Sequence, residues 1–440
     1  MKGRKPQGKK RKRPAAAPPA EYNLLLTATL CLLAFGAVMV FSASSTTQVL
    51  HNGGLSNSAY YLKRTLVVGA IGLLVMHLVA RGGLGFVRRL TPTLLGGSLF
   101  LLVVVLGAGA SVNGASRWIG SGSIQFQPSE LAKVALVLYG ADLLARKPKR
   151  ARSIEGFMPL LLLTAGACLL VVLEPDLGTA MVIAFAVGAT LVAGGARPRD
   201  LGKIGLGLGV LVLFLTVVEP YRMARLTGFL HPGSDPSGAG FQAAQAKIAL
   251  GSGGIFGVGI GNGVAKAGFL PEAPTDMISA VIGEELGLVG ILALVGLFGL
   301  FGYAGLQIAK KARDRYSKLL AAGLTSLVVV QATINLFAVM GLAPLTGVPL
   351  PFVSYGNSSL LATLFAVGLI LNVARGGRVA SRTGRAGGTG KLRVVEGGRS
   401  PARAARSRSN GVRKAKSRGG GRGDGRSRRA GHGGRRRASG

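Results

Sequence analysis

Ten apolar stretches, most of them close to the length a helix needs to cross a bilayer, run through this 440-residue chain. They fall at 22–41, 65–80, 92–109, 128–145, 157–173, 177–194, 204–218, 276–307, 319–341 and 357–375. A span takes about 20 apolar residues, and in hydrocarbon every backbone N–H and C=O must find its partner within the chain, which a helix achieves. The expected fold is an all-α polytopic membrane protein with about ten transmembrane helices. A hydrophobic fraction of 49% with 70 glycines fits that class and not a soluble domain. The first stretch follows basic residues as a signal peptide would, but nine more follow it, so it reads as an uncleaved anchor. The stretch 276–307 is longer than a bilayer is thick, which predicts a tilt or an interfacial turn.

A net charge of +37 first suggests nucleic acid, but its placement suggests a membrane surface. The first 20 residues carry eight Lys/Arg and no acid, and residues 376–440 carry 20 Lys/Arg against two acids. Both ends are too polar and too rich in Gly, Ser and Arg to build a core, so 1–21 and 376–440 are expected to be disordered tails held near anionic lipid headgroups. Contact with RNA or DNA is the second reading of the C-terminal tail and not the expected one. With the N-terminus inside, sixteen Lys/Arg lie in the inner loops against seven in the outer ones. The positive-inside rule therefore places both tails in the cytoplasm around a membrane domain at 22–375. The long loop 219–275 then lies outside. Cys31 and Cys168 sit within apolar spans and read as small core residues.

In this topology the polar motifs NGASRWI, QPSELAK, EPDLGT and PLPFVSYGNSS converge on the outer face with the loop 219–275. Asp276, just ahead of the apolar run from Met277 to Ile282, is the leading candidate. An ionisable group at a helix mouth is costly, and burial raises a carboxylate's pKa toward the range of a general base. Thr275 could cap the helix that follows, and Asp276 could simply complement its dipole. Glu272, Lys266 and Arg222 in the same loop strengthen the functional reading. Glu130 and Lys133, three apart on one helix, form either a structural ion pair or a charged contact with substrate phosphate or Asp276. Arg117 beside Trp118 suits a lipid phosphate or a sugar, although a lone Trp is more often a membrane-belt residue. Asp176 is expected to cap the helix beginning near Leu177, with Glu174 left open. Ser354 and Ser358 surround Tyr355–Gly356 at a helix start as possible substrate contacts; no His–acid pair accompanies them to make a nucleophile. The glycines of GSGGIFGVGIGNG lack the strand–loop–helix setting of a nucleotide site and suggest close backbone packing or a re-entrant turn. The four histidines have no metal-ligand spacing.

NGASRWI, QPSELAK, PDLGTA, DPSGAGFQ, KIALGSGG, LPEAPTDMI, IGEELGLVG and PLPFVSYGNSS, in this order from about residue 24 to 375, resemble the FtsW/RodA/SpoVE (SEDS) family, and its FtsW/SpoVE branch more than RodA. The resemblance implies a ten-helix peptidoglycan glycosyltransferase of cell division that polymerises lipid II outside the cytoplasmic membrane. It would work at the septum beside a class B penicillin-binding protein and other divisome proteins. The family's essential aspartate falls on Asp276, which would deprotonate the acceptor hydroxyl while Arg117, Lys133, and Arg222 or Lys266 offset the leaving diphosphate. A divalent cation could share that task, though no ligand cluster announces one. Pro274 stands where many members have His, Asn357 replaces a glycine, and Glu174 stands where Gln is frequent. Two other function classes remain in view, a lipid II flippase and a divisome scaffold.

Overall fold

The computed structural model describes residues 19–52, 58–112, 115–120, 125–146, 148, 153–231 and 238–376. Of the basic tails expected to be disordered, 1–18 and 377–440 lie outside the described residues, whereas Ala20 and Glu21 already belong to the first helix. Ten long helices account for the ten expected spans: α1 (Ala20–Asn52), α2 (Ser58–Arg81), α3 (Leu84–Ala108), α4 (Pro128–Arg146), α5 (Ile154–Leu173), α6 (Leu177–Gly194), α7 (Pro198–Val218), α10 (Ile278–Lys311), α11 (Arg315–Val339) and α12 (Asn357–Ala374). Nine of the described helices are long and apolar enough to cross a membrane on their own. The tenth, α4, carries Glu130, Lys133 and Asp142, yet almost every residue from Pro128 to Asp142 is buried. It runs through the middle of the bundle against α3, α5, α6, α11 and α12.

The helix ends fix the topology. Arg315 at the start of α11 donates to the carbonyls of Leu144 and Gly194, at the ends of α4 and α6. Lys311 pairs with Glu21, and Arg375 donates to the Tyr22 hydroxyl at 2.8 Å. The beginning of α1 and the end of α12 therefore share a face, as an even number of crossings requires. Cys31 is exposed on α1 rather than packed in the core, and Cys168 is half-buried.

Two features of the outer face depart from the sequence reading. The segment around Arg117 forms a two-stranded antiparallel hairpin, β1 (Ala110–Val112) and β2 (Ala115–Trp118). The loop 219–275 contains two helices, α8 (Pro220–Leu230) and α9 (Ala239–Ser252). Between α6 and α8, α7 has no buried residue, and α8 is its main neighbour among the described elements. The long α10 breaks at Gly287, whose φ of 65° and ψ of −159° are open to glycine.

Candidate active site

Asp276 lies ahead of α10, not within its first turn. The helix begins at Ile278 with Met277 as its N-cap and has no side-chain cap, so Thr275 does not play the capping role. Thr275 instead donates to the Glu272 carboxylate at 2.8 Å and lies 3.3 Å from Asp276 Oδ1. What holds the Asp276 turn is its backbone. The Asp276 carbonyl accepts from Asn335 Nδ2 at 2.7 Å, and the Pro274 carbonyl accepts from Tyr355 N at 2.9 Å. The turn is thus fixed mainly through its backbone carbonyls.

The loop 344–353 brings the second half of the site. Asn335 also donates to the Val348 carbonyl at 2.8 Å, and Gln331, one turn earlier on α11, donates to Pro349 at 2.9 Å. Across Gly347 the loop leaves room for two opposite charges. A Cβ at Gly347 would stand 3.7 Å from Asp276 Oδ2 and 3.8 Å from Arg225 Nη1. Arg225 donates to the Leu345 carbonyl at 3.0 Å, which aims its guanidinium at this spot. Burial, followed by the neighbouring Glu272, pushes the half-buried Asp276 carboxyl up to about 6, and Arg225 opposes the rise.

Beside Arg225 opens a cavity of about 630 Å³. Phe185, Val212, Leu213, Ile334 and Phe337 give it an apolar wall, and Arg222 and Arg225 are its charged lining residues. Arg222 donates to the carbonyls of Leu215 at 3.2 Å and Val172 at 2.8 Å, while its Nε finds no partner among the described residues. Lys247 and Arg225 line a small adjoining crevice. This pairs one long apolar surface with a cationic end and a carboxylate of raised pKa. A lipid-linked diphosphate presents the same two chemistries in the same order.

Several expected substrate contacts turn out to be structural. Lys133 Nζ is buried, 2.8 Å from both Glu130 and Gln331, so both halves of the Glu130–Lys133 pair are consumed inside the bundle. Lys266 is buried completely against Glu285 at 2.6 Å and Ser42 at 3.0 Å, and cannot reach a diphosphate. Ser354 Oγ accepts from Leu350 N, and Ser358 Oγ accepts from Gln127 N, so each ties the chain to itself. Arg117 donates to the Glu174 and Pro175 carbonyls and braces the turn between α5 and α6. Trp118 is half-buried beside it on β2 and is not one of the residues that line the cavity. Glu272 lies at the site as expected, with its carboxylate engaged by Thr275. Asp176 caps α6 through Thr179 N at 2.9 Å. No group of three or more His, Cys, Asp and Glu is placed to hold a metal among the described residues.

The reading from sequence passed over Arg225, Gln331 and Asn335. Two signals were available: Arg222 and Arg225 are three apart in one short helix, and Gln331 and Asn335 are four apart in an apolar span, so each pair shares a face.

Glu174 is 1% exposed and neither carboxyl oxygen has a partner among the described residues. Burial, with Asp176 adding to it and Arg117 opposing it, pushes it up to about 8. A folded-state pKa above the unfolded value adds stability at low pH that is lost as pH rises through the folded pKa. Glu174→Gln should therefore melt several degrees above the parent at pH 9, with the gap closing toward pH 5. Thermal unfolding in detergent across that range measures it.

Residues 22–378 match the family model for the cell cycle proteins FtsW, RodA and SpoVE. The chain is 40% identical over 370 residues to the probable peptidoglycan glycosyltransferase FtsW of Trichlorobacter lovleyi, covering 83% of this chain and 96% of that protein. It is 40% identical over 358 residues to stage V sporulation protein E of Bacillus subtilis, with 80% and 96% covered. Among solved structures it superposes on the rod shape determining protein RodA of Thermus thermophilus with a TM-score of 0.59, 31% identity, and 80% and 95% of the two chains covered. A chain from a peptidoglycan synthase complex, described for its coordination of polymerization and crosslinking, gives 0.65 at 30% identity, with 80% and 96% covered.

Proposed function

Because the chain belongs to the FtsW/RodA/SpoVE family of cell cycle proteins, we infer that it is a multi-pass membrane peptidoglycan glycosyltransferase that polymerises lipid II for the cell wall of dividing cells. The observation that carries the mechanism is the facing of Asp276 and Arg225 across Gly347, beside an apolar cavity. In our reading the prenyl chain of one lipid II lies along the cavity wall, and Arg222 and Arg225 hold its diphosphate. Asp276 takes the proton from the 4-hydroxyl of the other substrate's terminal GlcNAc. That oxygen attacks C1 of the MurNAc with inversion, and the C1–O bond to the diphosphate breaks. The bonding electrons leave with undecaprenyl pyrophosphate, whose charge the two guanidiniums offset. A divalent cation is a further candidate for that task, and no step here requires one.

A base must be deprotonated to act. With its pKa near 6, Asp276 should give a polymerisation rate that rises with pH through about 6 and levels off above pH 7. Arg225→Gln removes the charge that opposes the rise, so it should move the midpoint to higher pH as well as weaken substrate binding. Glycan product from purified lipid II, followed over pH for both proteins, is the measurement; coincident midpoints would take Arg225 away from Asp276. A class B penicillin-binding protein as crosslinking partner, other divisome proteins and a septal location complete the proposal. The match to a chain of a peptidoglycan synthase complex supports the first of these. A flippase or a divisome scaffold would tolerate a neutral residue at 276, and that is where the alternatives part.

A further inference from the structure

We propose that residues 253–269 form an apolar foot set into the outer leaflet, at the boundary between headgroups and acyl chains. The segment comes from an outer loop, yet its large side chains point away from the protein. Phe256 is 80% exposed, and Ile255, Ile260, Val264 and Phe269 are all more than half exposed. No charged residue occurs from Gly251 to Ala265. Such a patch in water is an aggregation liability, whereas a loop that lies in lipid needs it.

The backbone is built for that setting. Irregular chain at membrane depth is tolerated only where its polar groups are satisfied internally. Here the loop pairs with the break in α10: Val258 N and Gly259 N donate to the Glu284 and Glu285 carbonyls, each at 3.0 Å. In return Leu288 N and Val289 N donate to the Gly254 and Ile255 carbonyls. The Glu284 carboxylate accepts from Val264 N at 2.8 Å and Ala265 N at 3.1 Å. The approach is so close that a Cβ at Gly257 would stand 2.1 Å from the Glu285 carbonyl oxygen, and one at Gly287 would stand 2.4 Å from Gly257 N. The GSGGIFGVGIGNG run is thus a re-entrant packing device.

The depth fits as well. From Lys311 at the inner end of α10 up to Gly287 is about 36 Å of helix at about 1.5 Å per residue. With an ordinary tilt of about 20°, that brings the foot to the far edge of a hydrocarbon core about 30 Å thick. The exposed apolar side chains of Leu288, Val289 and Leu292 continue the patch directly onto the lipid-facing stripe of α10. The buried Lys266–Glu285 pair joins the foot to the same helix that Asp276 precedes. The foot therefore sets the height of the Asp276 turn above the membrane.

The test uses the full chain in phosphatidylcholine vesicles, with Cys31 and Cys168 changed to alanine and Phe256→Cys carrying an environment-sensitive fluorophore. Ile260→Cys serves as an independent second position. Nitroxide lipids labelled high on the acyl chain should quench it roughly twofold more than lipids labelled near the chain end, with little quenching by aqueous iodide. Replacing half the lipid with phosphatidylglycerol should change nothing, because the foot exposes no charge: its one charged residue, Lys266, is buried and paired with Glu285. Quenching by iodide without quenching by lipid would place the segment in water and overturn the proposal. Shielding from both would make the patch a protein interface and overturn it equally.

Discussion

Asp276→Asn should abolish glycan polymerisation, lowering the rate by about 10²–10⁴-fold or beyond detection, while the protein still inserts and folds normally. The two halves of that expectation rest on different atoms. The turn is held by the Asp276 and Pro274 carbonyls, through Asn335 and Tyr355, and an asparagine keeps both. Around the carboxylate, an asparagine of the same shape keeps the approach of Thr275 and gives up the charge that faces Arg225. Stability should even rise slightly above pH 6. A carboxyl whose folded pKa is raised to about 6 costs stability as pH climbs through that value, and the amide does not ionise. The check is lipid II polymerisation by parent and variant, each with and without a class B partner, alongside their melting curves. Undiminished product from a well-folded Asp276→Asn protein would remove the base and return the flippase and scaffold readings.

Lys266→Met should do the opposite, destabilising the fold by roughly 3–5 kcal/mol because it leaves Glu285 charged and unpaired in a fully buried position. The double variant Lys266→Met with Glu285→Leu should recover most of that loss, since a buried ion pair is often no more stabilising than apolar residues of similar volume. Urea or thermal unfolding of the parent and the single and double variants decides it. If Lys266 served the diphosphate instead, the single change would leave the melting curve in place and reduce turnover alone. The same comparison separates Asp276, whose charge we assign to chemistry, from Lys266, whose charge is paired inside the fold.

The ten helices were legible because a bilayer reduces folding to one-dimensional rules of length, hydropathy and loop charge. Even α4 was found, although its charges lower its hydropathy, because no charged residue interrupts it between Lys133 and Asp142. The site was legible in part. Asp276 and Glu272 stood out because they lie just ahead of the apolar run from Met277 to Ile282, where an ionisable group at a helix mouth is costly. Arg225 did not, because its partner lies about fifty residues away and the two meet only across the loop at Gly347.

By itself, the sequence determined the number of spans, their orientation and the face on which chemistry occurs, since each follows from local composition measured against a fixed solvent geometry. It also pointed to Asp276, through its position at an outer helix mouth and its place in the TD motif. Only the tertiary structure decided which cations are available to a substrate. Lys133, Lys266 and Arg225 look alike along the chain, but two of them are neutralised by buried carboxylates and the third faces Asp276 beside the cavity. A charge's role depends on what surrounds it in three dimensions, because burial and pairing change its free energy by several kcal/mol while leaving its sequence context unchanged.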